Sequence, residues 1–293
     1  MKDIHLGTFT KLFNSGITPI LDYCAGVWGF SNYKCLEDVQ LKAARYFLGV
    51  HKLCPIAAIE GDIGWVKCST RRKAEIINLW NHLVTLSDHR YDVELMNHNS
   101  NWSMDLVTLL QAVNMDSDLT SFQQIDPDLV QKKLQMLQQN AWNDLRYQKI
   151  KLRNYNLFKG DMTAESHVSL SIKKSYRSYY AKFRMGILPL MIEVGRYYGI
   201  PLDERFCPIC KDCFGNFIED EFHFLCICSH YHDIRQQLYD QVKNCFPLFD
   251  RLESFEKFVY LNSNCQLQTS TFVAKAMQIR QSILYTSNLP PCN

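Results

Sequence analysis

Five of the twelve cysteines of this 293-residue chain lie between Cys207 and Cys228, and a histidine lies among them. Cys207 and Cys210 are two residues apart, a spacing that lets a tight turn direct two thiolates at one metal ion. Twelve residues then precede His223, and four more precede Cys228. Three thiolates and one imidazole are the donor set of a closed, tetrahedral zinc site. The sequence therefore predicts one structural zinc, held by Cys207, Cys210, His223 and Cys228.

A closed site predicts that the metal stabilises the fold. Four protein ligands leave no coordination position for water or substrate, so zinc catalysis is not expected. The alternative interpretation is a set of reduced, buried cysteines that cluster without a metal ion. Cys226 lies three residues after His223 and is expected to pack in the core, although Cys226 or Cys213 could replace a ligand.

Three consecutive acidic residues, Glu219, Asp220 and Glu221, precede the histidine. We expect them to form a solvated turn and not a catalytic carboxylate cluster. One of the three carboxylates could then accept a hydrogen bond from the His223 ring and orient it, as carboxylates often do around metal-bound histidines.

The composition is that of an ordinary globular protein, with 47% hydrophobic and 21% charged residues. No run approaches the roughly 20 apolar residues of a membrane span, and Met1-Lys2-Asp3 does not open a signal peptide. Twelve cysteines without a secretory signal favour a reducing compartment, where clustered thiols bind metal more often than they form disulfides. We therefore expect an intracellular protein, of the nucleus or the cytoplasm, with no membrane segment.

The formal charge is concentrated in residues 131–185, which carry twelve Lys/Arg and three Asp/Glu, a net charge of +9. Tyrosines alternate with these cations, as on surfaces where lysines pair with phosphates and aromatic rings stack on bases. The alternative is a solvated helix face whose aromatic residues belong to the core. The candidate nucleic-acid-binding residues are Arg146, Lys149, Lys151, Arg153, Lys173, Lys174, Arg177, Tyr179, Tyr180, Lys182 and Arg184.

Apolar residues recur at helical spacing over most of the chain, for example at Leu36, Val39, Ala43 and Phe47. Around the cysteines the pattern changes, and the run from 206 to 217 is expected to form a short hairpin that reverses direction near Gly215-Asn216. We predict a mainly α fold, with helical bundles and a small zinc-stabilised β-hairpin near the C-terminus.

Asp126-Pro127 marks the clearest boundary along the chain. The expected organisation is a helical domain over residues 1–127, a basic helical segment over 128–200, and the zinc finger with C-terminal helices over 201–293.

Several motifs occur in a fixed order along the chain, at 12–23, 27–29, 44–50, 61–65, 79–81 and 207–231. In this order they are similar to the thumb and terminal Cys-Cys-His-Cys finger of non-LTR (LINE-type) retrotransposon reverse transcriptases, and the resemblance covers residues ~10 to 240. It implies that residues 1–127 are thumb-like.

The resemblance also indicates what this chain lacks. Full-length members are RNA-directed DNA polymerases that hold two magnesium ions on a Tyr-x-Asp-Asp turn, whereas this chain has no Asp-Asp pair. No endonuclease pattern replaces it, because Ser87-Asp88-His89 has no surrounding strand signal. We therefore expect neither polymerase nor nuclease activity from this chain.

The resemblance implies a retroelement-derived fragment that binds RNA or an RNA–DNA hybrid and takes no small-molecule substrate. Two alternatives stay open on the sequence alone. One is a zinc-stabilised protein-interaction module, and the other is an inert, truncated remnant.

Overall fold

The computed structural model describes residues 4–86, 100–120, 123–170, 172–210 and 216–286. Within these ranges the chain is mainly α, as predicted, and contains no β-strand. The α-helices are α1 Leu6–Gly16, α2 Thr18–Leu21, α3 Ala25–Trp28, α4 Lys34–Leu48, α5 Ile56–Ile63, α6 Cys68–Thr85, α7 Asn101–Ala112, α8 Pro127–Tyr147, α9 Tyr155–Phe158, α10 Ser166–Ser169, α11 Lys174–Arg184, α12 Met191–Tyr197, α13 His232–Lys243, α14 Ser254–Asn264 and α15 Gln266–Thr286. Short 3₁₀ turns lie at Ile150–Leu152, Leu202–Glu204, Ser229–Tyr231 and Pro247–Arg251, and a π turn lies at His223–Ile227.

The chain divides into two compact units that interleave along the sequence. Unit 1 contains the described residues of Met1–Leu6, Ala44–Gly64 and Leu145–Asn293, and unit 2 contains those of Gly7–Ala43 and Trp65–Asp144. Segment 44–64 packs with residues that follow it by about a hundred positions. The Tyr155 hydroxyl, for example, donates hydrogen bonds to the Ala58 carbonyl and to the Asp62 carboxylate.

Unit 2 has a core built on α6 and α7. Ile76, Ile77 and Trp80 of α6 are buried against Leu106 and Leu110 of α7. Their i, i+1, i+4 spacing places them on one side of the helix, which explains the apolar stripe in the sequence.

A close approach of α3 to α6 completes this unit. A Cβ at Gly26 would lie only 2.9 Å from the Leu79 Cβ, so a larger residue would force the two helices apart. The Trp102 indole donates a hydrogen bond to the Gly26 carbonyl at 3.0 Å and fixes α7 at the same place.

The core of unit 1 contains the cysteine cluster. Cys207, Cys210 and Cys228 are buried in the same hydrophobic cluster as Tyr180 and Phe183 of α11. Aromatic contacts extend this cluster to Phe224, Tyr231, Phe258 and Phe272. The sulfur cluster and helix α11 therefore share one core.

A network of buried charges lies next to this core. Asp62 and Arg184 are completely buried and form an ion pair at 3.1 Å, and Glu165 lies 3.3 Å from the same guanidinium. The Lys159 ammonium contacts Glu165 at 2.7 Å. Two carboxylates thus balance two cations inside unit 1, which a buried ionic group requires.

His167 lies in this network and gives it a pH dependence. Its imidazole is completely buried, 3.4 Å from Asp62, and burial lowers its pKa from 6.5 to about 4. The neighbouring charges are already balanced, so a protonated His167 would add an uncompensated buried charge.

We expect unit 1 to lose stability as the pH falls from 6.5 towards 4. In this window the unfolded chain binds a proton at His167 that the folded chain does not, and the free energy of unfolding falls by about 3 kcal/mol in total. Urea unfolding of wild type and His167→Gln across this range measures the effect. Loss of metal ligands to protons affects both proteins alike, so equal pH slopes for the two would refute the assignment.

Candidate metal centre and cationic surface

The four predicted metal ligands are brought together in unit 1. The three Sγ atoms and the His223 ring nitrogen all lie within 4.8 Å of one another, and each of the four residues is buried. The Cys210 Sγ lies 3.4 Å from the His223 Nε2. The cluster can therefore hold one metal ion, as the spacing predicts.

The 3.4 Å separation of the Cys210 Sγ and the His223 Nε2 fits two neighbouring ligands of a tetrahedral ion. Zinc–sulfur bonds of about 2.3 Å and zinc–nitrogen bonds of about 2.0 Å place neighbouring sulfur and nitrogen ligands roughly 3.5 Å apart and two sulfurs roughly 3.8 Å apart. Four buried donors enclose the position, so a bound ion would have no vacant side.

The first two cysteines are held by a pair of antiparallel segments. Phe206 and Ile218 form a single β-bridge. Beside it the Cys207 amide donates to the Phe217 carbonyl at 2.8 Å, and the Glu219 amide donates to the Arg205 carbonyl at 2.9 Å. The described residues form one bridge here and no strand, so the predicted β-hairpin is not shown. The turn predicted near Gly215 lies outside the described residues, as does Cys213.

The second pair of ligands is positioned by the π turn. The Cys228 amide donates to the His223 carbonyl at 2.8 Å, five residues back, which brings the two ligands together across one wide turn. The Asp220 carboxylate accepts a hydrogen bond from the His223 backbone amide at 2.7 Å. The Arg235 guanidinium donates hydrogen bonds to the Leu225 and Cys228 carbonyls. Both ends of the turn are therefore fixed by side chains.

The prediction of a solvated acidic turn at 219–221 is wrong, because Glu219 and Glu221 are almost completely buried. Glu219 receives two hydrogen bonds of 2.9 Å from Arg280. Glu221 receives hydrogen bonds from Arg153 at 2.7 Å and from Asn154 at 2.8 Å.

Glu219 and Glu221 therefore attach the segment that carries His223 to helix α15 and to residues 153–154. No hydrogen bond from the His223 Nδ1 to a carboxylate is present among the described residues. Cys226 is buried in the core, as expected.

The thiols of the cluster influence one another's ionisation. Hydrogen bonds from Cys228 and His223 lower the pKa of Cys207. The hydrogen bond with Cys207 and burial raise the pKa of Cys228, and burial together with Cys207 raises the pKa of Cys210. The Cys207 thiolate forms readily, and its negative charge then opposes ionisation of Cys210 and Cys228. A bound cation would offset this repulsion and allow all three thiols to ionise.

The predicted nucleic-acid-binding residues that lie on helix α11 divide between its two faces. Successive residues lie 100° apart on a helix, and the structure buries Arg177, Tyr180 and Arg184 on the inward face. Arg177 donates to the Phe47 carbonyl at 3.1 Å, Tyr180 donates to Asn262 at 3.2 Å, and Arg184 pairs with Asp62.

Arg146 is also buried, with its guanidinium bonded to the Lys159 carbonyl. These four residues stabilise the interior of unit 1 and are not available to a ligand.

The remaining predicted residues reach the surface. Lys149, Arg153, Lys173 and Lys174 are exposed, and Lys151, Tyr179 and Lys182 are half-buried. Two of these residues form ion pairs: Lys151 pairs with Glu193, and Arg153 pairs with Glu221.

Lysines on α11 and at its N-terminal end lie over tyrosine rings. The Lys174 ammonium is 4.2 Å from the centre of the Tyr46 ring, and the Lys173 ammonium is 5.7 Å from that of Tyr176. The segment after α4 runs alongside, where the Ser178 hydroxyl donates to the Gly49 carbonyl at 2.7 Å. We call Lys173, Lys174, Tyr46 and Tyr176 the cationic surface.

A second group of residues near helix α11 lies outside the basic block and was not predicted from the sequence. His51 and Lys52 follow α4, and Tyr197 and Tyr198 end α12, yet all four line a cavity together with Tyr179 and Lys182. Among these four residues, only Tyr197 and Tyr198 give a signal in the sequence. They follow Arg196 and so repeat the aromatic–cation pattern of residues 131–185 outside that block.

Comparison of the chain with protein-family models, with curated proteins and with solved structures gives no match. In the described part of the chain, no helix combines the length and the apolar character needed to cross a membrane.

Proposed function

We propose that this chain is a nucleic-acid-binding module of retroelement origin, stabilised by one structural zinc ion. Its ligand in this proposal is RNA or an RNA–DNA hybrid. The order of the motifs, from the thumb-like segment to the finger, supports the origin.

Zinc is the metal favoured by the chemistry of the donor set. Three thiolates and one imidazole suit zinc, whereas magnesium and calcium prefer oxygen ligands. With zinc bound to Cys207 and Cys210, the antiparallel segments on either side of 211–215 would form the knuckle hairpin expected from the sequence. The closed, buried position supports a structural role.

The observation that carries the proposal is the two-faced character of helix α11. Its inward face, with Tyr180 and Phe183, packs in the core that contains the metal ligands. Its outward side and N-terminal end carry Lys173 and Lys174, each beside a tyrosine ring. The metal would therefore hold in place a helix that offers cations to phosphates and rings to bases, which single-stranded nucleic acid uses for binding.

The test is the salt dependence of RNA binding. We expect a labelled single-stranded RNA to bind about 7-fold more weakly at about 200 mM than at 50 mM salt if two lysines contact phosphates, and more weakly still if others join. Reversal of Lys173 and Lys174 to glutamate should weaken binding and reduce the slope of log K against log salt by about 1.4. Arg177 is excluded from this variant because its reversal would place a carboxylate in the core.

A matched variant controls for net charge. Lys11 and Lys132 are exposed lysines of unit 2, and their reversal to glutamate changes the total charge by the same amount. RNA affinity should respond to the first pair and not to the second. Salt-independent binding, or equal weakening by the two variants, would contradict the proposal and favour the protein-interaction module.

A further inference from the structure

A cavity of about 620 Å³ lies in unit 1 between the end of α11, helix α12 and the segment after α4. This volume falls within the range of about 300–1,000 Å³ that small-molecule sites occupy. Three tyrosines line it, Tyr179, Tyr197 and Tyr198. Tyr198 is 69% exposed, so its ring is accessible to a planar ligand, whereas the Arg196 guanidinium lies 4.9 Å from the centre of the Tyr197 ring.

The charged groups of the cavity lining are two lysines and one carboxylate. The lysines are Lys52 and Lys182, and the carboxylate is Glu193. Glu193 is bonded to Lys151, to Arg196 at 3.1 Å and to the Tyr197 hydroxyl at 3.1 Å. Two cations outside the lining therefore balance the charge of Glu193, and the cavity keeps a net positive charge.

His51 adds a neutral polar group. Its Nδ1 accepts a hydrogen bond from the Leu53 amide at 3.2 Å, so in the neutral ring the proton lies on Nε2. Burial, with help from Lys182 and Lys151, lowers the pKa of His51. Burial also lowers the pKa of Lys182, a desolvation that a bound anion would compensate.

We infer that this cavity binds one nucleotide of a single-stranded RNA, with its base against the ring of Tyr198 and its phosphate at Lys182. This inference rests on the proposed function and names a site for it. The chemistry calls for a ligand with both a planar apolar face and an anionic group. A nucleotide has both, whereas a bare anion leaves the tyrosines without a partner and a neutral aromatic compound leaves the lysines without one.

The test separates stacking from charge. A fluorescein-labelled ten-residue oligouridine is titrated by anisotropy against wild type, Tyr198→Ala, Tyr198→Phe and Lys182→Gln at several salt concentrations. Tyr198→Ala should weaken binding by roughly 5- to 150-fold at every salt concentration, because the loss of one stacked base leaves the phosphate contacts intact. Tyr198→Phe, which keeps the ring, should bind like wild type. Lys182→Gln should instead reduce the salt slope by about 0.7.

Position and ligand class are tested separately. An oligonucleotide carrying 5-iodouridine should cross-link to the peptide that contains Tyr197 and Tyr198. Uridine monophosphate should compete for the site, and inorganic phosphate at the same concentration should not. Equal competition by inorganic phosphate would reduce the cavity to a simple anion site and overturn the assignment.

The two proposals fail in different ways. Wild-type RNA binding that is weakened by reversal of Lys173 and Lys174 but unchanged in Tyr198→Ala, with cross-links elsewhere, would overturn the cavity alone. Binding of uridine monophosphate without binding of the oligonucleotide would support a nucleotide site and refute the module. No binding of either probe by the wild-type protein would overturn both.

Discussion

Replacement of Cys207 by serine is expected to release the metal and to unfold the surroundings of the cluster. Purified wild-type protein should contain one zinc per chain, and the variant should contain none. A ligand that binds only the folded state stabilises that state by about 4 kcal/mol when its free concentration is a thousand times its dissociation constant. The variant loses this contribution. Binding of a structural zinc and ordering of its segment are linked, so stability and metal content should fall together.

The loss should be local enough to map. Hydrogen exchange should accelerate at 205–235 and in helix α11, which shares a core with the ligands. The tryptophans report the other unit, because all five belong to unit 2: Trp28, Trp65, Trp80, Trp102 and Trp142. We expect the tryptophan fluorescence transition in urea to stay close to that of wild type.

Two cysteines provide controls for this experiment. Cys226 is buried two residues from a ligand, and Cys245 is exposed on the same unit. Cys226→Ala and Cys245→Ser should each retain one zinc. Full metal content in Cys207→Ser, or zinc loss in Cys226→Ala, would show that the ligand set is different from the one described.

The cluster of Cys207, Cys210, His223 and Cys228 was predictable because its signal is local. Two cysteines separated by two residues, with a histidine and a cysteine at fixed distances, constrain a metal site without knowledge of the rest of the chain. The helices were predictable for a similar reason, since apolar residues mark one side of each.

The burial of Glu219 could not be predicted in the same way. Its partner, Arg280, lies 61 residues further along the chain, and nothing in the local sequence of an acidic trio identifies a distant guanidinium. The interleaving of the two units could not be predicted either, because it depends on the distant residues against which 44–64 packs and not on the amino-acid composition of 44–64.

The division of the basic block was within reach of the sequence. Arg177 and Arg184 are seven residues apart, almost two complete turns, and Tyr180 and Phe183 lie on the same side of α11. Apolar rings on the side of a helix that carries two arginines indicate that these arginines face the core. Counting charge over 131–185 without this periodicity merged structural cations with accessible ones.

Removal of the Asp62 carboxylate is expected to cost unit 1 as much as removal of the zinc. Asp62 is completely buried and receives hydrogen bonds from Arg184 at 3.1 and 3.2 Å and from the Tyr155 hydroxyl at 3.0 Å. The pKa of Asp62 is lowered because the charge of Arg184 and its hydrogen bonds outweigh the effect of burial. The carboxylate is therefore ionised in the folded state at neutral pH.

We expect Asp62→Asn to destabilise unit 1 by about 3–5 kcal/mol, the usual cost of removing one partner of a buried ion pair, because Arg184 and Lys159 would then share the carboxylate of Glu165. The asparagine keeps the size of the side chain and a hydrogen bond to Tyr155, so the loss reports the charge and not a cavity. Circular dichroism in urea, which follows the helices of both units, measures it. Asp203→Asn, an exposed aspartate of the same unit, should change stability by less than about 0.5 kcal/mol.

A second change tests the reason for the loss. In Asp62→Asn with Arg184→Met both charges are absent, so the excess buried cation of the single variant disappears and Glu165 keeps Lys159 as its partner. Replacement of a whole buried pair by uncharged residues is often neutral. The double variant should therefore be more stable than the sum of the two single losses predicts. Additive losses would show that Asp62 and Arg184 contribute independently, and that the buried pair does not hold helix α11 in the way described.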